Sequence, residues 1–533
     1  NIGLKHRLMK KLSLLLCLVI VAGAWAFTQS KKENKAPEMA EKVDLKEFFK
    51  NPEKTAYKIS PDGNFLAYMA PVNNRLNIFI QEIGSDDAKQ LTHETERDLA
   101  GYFWAGNDRI LFLKDDGGDE NYALYGVNID GTNLIPLTKE DNVRTQVIDD
   151  LEYDLDHVIV GLNKRDARIF DAYRLDVNTG EKKMIAENPG NISAWMTDND
   201  GLLRVAVATD QTNTTLLYRK SEEDAFKPVL TTDFKQSFSP QFFDFENSDI
   251  VYGTSNIGRD KSALVKYNLA TGKEEQVLFT DEHNDISGVG RSKKRKVLTA
   301  VFWYADKLKR HYFDENSKAT YEYLESQLPG VEVRVTSINK NEDKMILRTF
   351  SDKTKGSYYF FDKHTKELRL IQEVSPWLKA DNMADMEPIK YKSRDGLTIH
   401  GYLTLPKGVE AKNLPVVVNV HGGPWARDHW GFNPEVQFLA NRGYAVLQMN
   451  FRGSTSYGRA FWEASFKQWG QAMQDDVSDG AQWLIDQGIA DPDRIAIYGG
   501  SYGGYATLAG LTYTPDLYRC GVDYVGVSNL FTF

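Results

Sequence analysis

The chain has 533 residues, a hydrophobic fraction of 41%, an aromatic fraction of 12% and a formal charge of -10. That length exceeds a single core and predicts two or three domains. The acidic balance argues against nucleic acid as a partner, because phosphate binding needs a basic surface. The basic cluster 291–296, "RSKKRK", reads as a solvated turn.

The sequence begins at Asn1, and Met9 offers a better start. Lys10 and Lys11 precede an apolar run from Leu12 to Gly23, followed by Ala24-Trp25-Ala26. That order matches a secretory signal over residues 1–26 with cleavage after Ala26, and implies a bacterial, periplasmic protein. The run falls short of the ~20 residues that span a bilayer, and an uncleaved anchor is the alternative. With Cys17 removed only Cys520 remains, so no internal disulfide is expected. Residues 27–56 read as a polar, flexible leader and an N-terminal helix.

Residues 57–373 repeat. Strand candidates of the type "FLAYMA", "RILFLK", "HVIVGL", "LLRVAV", "DIVYGT", "KVLTAV" and "KMILRT" start at 65, 109, 157, 202, 249, 296 and 344. Most follow a turn such as "SPDGN" or "DNDG" and precede a second strand. Short strands at a period in the mid-forties predict a β-propeller of seven four-stranded blades, with a β-sandwich array as the alternative. The sixth repeat, around 284–327, is the least regular. From 374 to 533 longer strands alternate with helices. "PVVVNV" (415–420) and "YAVLQMN" (444–450) suit buried parallel strands. A helix with Met473, Val477, Ala481 and Leu484 on one face follows, and the segment predicts an α/β domain with a mostly parallel sheet.

Within it, "IAIYGGSYGGYATLAG" (495–510) breaks an apolar strand on glycines around Ser501 and continues as a helix. Gly499-Gly500-Ser501-Tyr502-Gly503 fits G-x-S-x-G, in which a sharp strand-to-helix turn presents a nucleophilic serine. Gly499 and Gly503 let strand and helix pass closely. His421-Gly422-Gly423-Pro424 ends an earlier strand, and its glycines can aim an amide at a developing oxyanion. The amide of Tyr502 is the expected second donor. His421 precedes the serine, against the Ser…Asp…His order of this fold, and reads as a packing or hydrogen-bonding residue beneath the loop. His429 reads the same way.

"HGGPW", "NFRGSTSYGRAFWE" and "DPDRIAIYGGSYGGY", with the propeller before them, resemble the prolyl oligopeptidase family of serine peptidases. The resemblance runs from about residue 44 to the end and is greatest to the acylaminoacyl-peptidase and bacterial dipeptidyl-peptidase-5-like branch. It implies a seven-bladed propeller capping an α/β-hydrolase domain, with the site in the cavity between them. It implies Ser501 as nucleophile and the amides of Gly423 and Tyr502 as oxyanion donors. The substrate it implies is a short peptide cleaved near its N-terminus, with no cofactor or metal. The paired glutamates that anchor a substrate amine in the dipeptidyl-peptidase-IV branch are not carried over, because Glu222-Glu223 lack the surrounding aromatic pattern and read as a turn. "DDGGDENY" (115–122) reads as an acidic turn rather than a calcium loop.

The nine histidines are at 6, 93, 157, 283, 311, 364, 400, 421 and 429, so none follows Ser501. Asp516 and Asp523 come too early for a triad acid. Domains of this kind run to roughly 250 residues, so about 100 are expected beyond Phe533, among them the triad Asp and His. The chain as given is expected to be inert. An esterase on the same scaffold and a non-catalytic binding propeller with a degenerate hydrolase domain remain as alternatives. A homo-oligomer is a further possibility.

Overall fold

A computed structural model describes residues 39–532. The signal reading of residues 1–26 lies outside them. The first described helix, α1 (Leu45–Phe49), buries Phe48 against the second domain, edge-on to Phe438 at 5.8 Å between ring centroids.

Seven antiparallel sheets follow, each built from one continuous stretch of chain: residues 55–90, 101–136, 145–186, 192–233, 238–279, 286–312 and 332–373. Each repeated motif seen in the sequence is the second strand of its blade. Most of those strands carry a run of consecutive buried residues, as in Arg109–Lys114 and Ile250–Ser255, because neighbouring blades cover both faces; the second strand of blade six, Val297–Tyr304, is the least buried. The first blade begins at Thr55, two residues ahead of the expected boundary. The ring closes by packing of the first blade on the seventh. Tyr57, Ile59, Leu66 and Tyr68 share a core with Ile346 and Phe360, and the amide of Lys340 donates to the Pro61 carbonyl at 2.8 Å.

The sixth blade departs from the expected four strands. It has three, and α2 (Glu315–Gln327) takes the place of the fourth. Asp314 caps this helix by accepting from the Ser317 amide at 2.8 Å, and Leu324 is buried in the core of blade seven. A helix satisfies its own backbone, so it can cover a blade without continuing the ladder.

On the face away from the second domain, the turn 150–156 of blade three is the longest between any first and second strand. It reaches across the axis of the ring. Glu152 pairs with Lys293 of blade six at 2.7 Å, and Lys340 of blade seven lies 4.9 Å from the centre of the Tyr153 ring. In a seven-membered ring, blades six and seven are the farthest from blade three, so these contacts span the mouth of the central channel. A cavity of about 830 Å³ remains between this turn and blades four to six. The basic run 291–296 therefore makes specific contacts here, since Arg295 also pairs with Asp314 at 2.6 Å.

The second domain is a six-stranded sheet of β1 (Met386–Lys392), β2 (Thr398–Thr404), β3 (Leu414–Val420), β4 (Ala445–Asn450), β5 (Ala490–Gly500) and β6 (Cys520–Tyr524). Their spatial order is β1-β2-β4-β3-β5-β6, with β2 antiparallel to both its neighbours, β1 and β4, and the other pairs parallel. Helices α3 (Pro434–Ala440), α4 (Arg459–Glu463), α5 (Ala472–Asp486) and α6 (Tyr502–Tyr513) join them. Met473, Val477, Ala481 and Leu484 of α5 are fully buried against the sheet, on the face their spacing predicts.

Candidate active site

The loops after β3 and β4 carry the HGGP segment and the contacts to the propeller. Arg427 donates to the carbonyls of Tyr304 and Ala305 in blade six, each at 3.1 Å, and His429 packs on the Tyr304 ring at 4.3 Å. After β4, the amide of Gly458 donates to the Asp285 carboxylate at 2.9 Å, and that of Ala460 to Asp260 at 2.7 Å. The propeller thus sits over the carboxyl ends of the parallel strands, where open α/β sheets place their sites.

Ser501 stands at that edge, exposed, between β5 and α6. Its φ of 57° and ψ of -118° are strained for a residue with a β-carbon. Its amide donates to the Tyr524 carbonyl at 3.0 Å, and its carbonyl accepts from the Tyr505 amide at 3.1 Å, so strand and helix hold the turn from both sides. A β-carbon on Gly503 would collide with the Val420 carbonyl oxygen, and one on Gly499 would lie 2.5 Å from the Gly503 carbonyl carbon. These two glycines let α6 start against the end of β3.

The HGGP loop lies beside the nucleophile. A β-carbon on Gly422 would be 3.3 Å from Ser501 Cβ and 3.9 Å from its Oγ. Gly423 has a φ of 123°, open only to glycine. Among the described residues, neither the Gly423 amide nor the Tyr502 amide has a hydrogen-bond partner. Tyr502 opens α6, where the first amides have no acceptor within the helix. Both expected donors are thus without a partner, as are the amides of Gly422, Gly503 and Gly504 beside them.

None of the described histidines is hydrogen-bonded to Ser501 Oγ. The His421 ring is held by Ser454 and the Gly422 carbonyl, and stacks on Phe451 at 4.3 Å. Burial, then Arg427 and Arg334, lowers the pKa of His429 to about 4.

Glu222 accepts from Arg174 and from the Leu203 amide at 3.0 Å, on the propeller face away from Ser501. Asp115 of the acidic turn pairs with Arg97 at 3.2 Å. Among the described residues, no group of three or more His, Cys, Asp or Glu is placed to hold a metal, and no helix is long and apolar enough to cross a membrane.

Sequence reasoning missed an aromatic wall beside the oxyanion loop. Trp425 is 55% exposed and meets Trp462 at 5.4 Å and Phe466 at 6.1 Å, while Phe234 of the propeller reaches Trp462 at 6.3 Å. The signal was present in "HGGPW" and "AFWEASF", but only the fold brings three chain segments together.

The chain matches the Prolyl oligopeptidase family over residues 430–533. It is 35% identical over 503 residues to dipeptidyl aminopeptidase BIII of Pseudoxanthomonas mexicana, covering 91% of this chain and 71% of that protein. It is 29% identical to dipeptidyl peptidase family member 6 of Caenorhabditis elegans, covering 91% of this chain and 70% of that protein. Among solved structures, a Mycobacterium tuberculosis puromycin-hydrolyzing peptidase superposes with a TM-score of 0.70 at 18% identity, over 93% of this chain and 82% of that one, which shows the shared fold. Strained serine, free amides, capping propeller and sequence likeness agree: the chain belongs to the prolyl oligopeptidase family of serine peptidases.

Proposed function

We propose that this protein releases aminoacyl or dipeptidyl units from the N-termini of short peptides through an acyl-enzyme on Ser501. The observation that carries this reading is the strained, exposed serine flanked by the free amides of Gly423 and Tyr502. Attack of Ser501 Oγ on a peptide carbonyl places negative charge on its oxygen. Two amides held in position stabilise that charge by about 3–4 kcal/mol each. The propeller over the strand ends favours short peptides, because a folded chain does not fit beneath it. The names of the dipeptidyl peptidases above support a dipeptide as the unit released.

Ser501 needs an imidazole to take its proton, and none of the described histidines is hydrogen-bonded to it. Residues 39–532 alone are therefore expected to stay unlabelled by a fluorophosphonate, with a rate several orders of magnitude down. The test uses the protein isolated from its native host. Dipeptidyl p-nitroanilides with a free amine should be hydrolysed, and Ser501→Ala should abolish the activity. Hydrolysis of simple esters but of no peptide would instead establish an esterase.

We also infer export to the bacterial periplasm from residues 9–26. The same preparation should begin at Phe27; a chain retaining Met9 would count against cleavage.

A further inference from the structure

The imidazole of His421 makes two directional contacts. Nδ1 lies 2.7 Å from the Gly422 carbonyl oxygen, and Nε2 lies 3.0 Å from Ser454 Oγ. A carbonyl only accepts, so Nδ1 carries the proton and Nε2 accepts from the Ser454 hydroxyl. Burial lowers the ring's pKa, opposed by Asp428 and by the hydrogen bond to the Gly422 carbonyl and assisted by Arg427, a net direction that favours the neutral ring with a single N–H.

The accepting oxygen belongs to the peptide that links Gly422 to Gly423. In a planar trans peptide the C=O and N–H point in opposite directions. Holding the Gly422 oxygen toward the imidazole therefore turns the Gly423 N–H to the other side of the loop. With glycines at both positions, no β-carbon restrains that peptide plane, and rotation of the plane would swing the donor away.

The ring is fixed in turn. It stacks on Phe451 at 4.3 Å with 18° between planes, and the Phe451 ring meets that of Tyr502 at 5.2 Å. Tyr502 supplies the other expected donor amide. One column of three rings thus joins the two halves of the oxyanion site. Phe451 is fully buried and Ser454 is fully buried, so neither contact has room to relax.

We propose that His421 is a positioning residue that sets the Gly422–Gly423 peptide plane, through Nδ1–H to the Gly422 oxygen, so that the Gly423 amide is aimed at the oxyanion. This rests on the peptidase reading for its kinetic consequence, but not for its geometry. The geometric test needs no activity. In the full chain labelled with ¹⁵N-histidine, the resonance lost in His421→Asn should show the Nδ1–H tautomer. An Nε2–H tautomer there would overturn the proposal.

The kinetic test uses the native-host protein on a dipeptidyl p-nitroanilide. Because the donor acts on charge that develops in the transition state, His421→Ala should lower kcat by about 10²-fold or more with KM nearly unchanged. His421→Asn, whose side-chain amide occupies about the place of Nδ1, should recover most of that loss. Equal kcat in wild type and His421→Ala, or no recovery in His421→Asn, would overturn it. Should His421→Ala not fold, His421→Phe tests the same link: it keeps a ring stacked on Phe451 and removes the Nδ1–H, so kcat should still fall by about 10²-fold, and an unchanged kcat would overturn the clamp. If wild type and Ser501→Ala hydrolyse the substrate equally, the peptidase reading fails, while the tautomer still decides the geometry.

Discussion

Ser501, Gly499 and Gly503 form one steric unit. The serine accepts a φ of 57° because the chain must reverse within a residue from β5 into α6, and the glycines remove the atoms that would obstruct this. The strain is held by the surrounding sheet and helix rather than by local preference. Gly503→Ala puts a methyl group into the Val420 carbonyl oxygen and should cost at least the 1–3 kcal/mol typical of overpacking. The expected result is a lower unfolding midpoint together with loss of fluorophosphonate labelling in the native-host protein. A stable, fully labelled variant would show that the strand end moves more freely than its packing implies.

At the scale of elements, the loop after β4 depends on α5. Arg452 reaches Asp476 with Nε and Nη2, both at 2.8 Å, and its own amide donates to the same carboxylate at 2.9 Å. The two side chains are 7% and 0% exposed. Donating these hydrogen bonds to Asp476 holds the guanidinium firmly protonated. Asp476 lies early in α5, and the fold uses it as a buried anchor. Removing one partner of such a pair strands the other charge, which typically costs about 3–5 kcal/mol. Arg452→Ala is therefore expected to lower the denaturant midpoint with an unchanged m-value. A loss below about 1 kcal/mol would mean that water replaces the guanidinium. The loop held by this pair carries Trp462 and the contacts to Asp260 and Asp285, so the anchor serves the site as well as the fold.

For the whole molecule, the seam between propeller and α/β domain contains a pH-sensitive group. His429 packs on Tyr304 beside Arg427 and Arg334, and its pKa falls from the usual 6.5 to about 4. The unfolded chain binds this proton at higher pH than the folded one. Stability is therefore full above about pH 6.5 and declines as the pH falls toward 4. Protonation would set a third positive charge beside the two arginines. The thermal midpoint should fall across that window, and His429→Phe should flatten this part of the profile. An identical profile in the variant would place the acid sensitivity elsewhere, with His400, also lowered to about 4, as the next group to replace.

Much of this architecture was legible in the sequence because it rests on local periodicity. The seven repeated strands, the buried parallel strands, the face of α5 and the glycine-framed serine each follow from spacing along a few consecutive residues. The departures have a common cause. Helix α2 replaces a strand because Leu324 finds its partners in blade seven, and Glu152 meets Lys293 only because the ring brings opposite blades to one channel mouth. The aromatic wall, the Arg452–Asp476 anchor and the contacts of His421 join residues from separate segments. Spacing along the chain sets which residue types repeat and where a serine can be presented. Which groups meet follows from folding, because packing and hydrogen-bond direction depend on distances in space that this spacing does not encode.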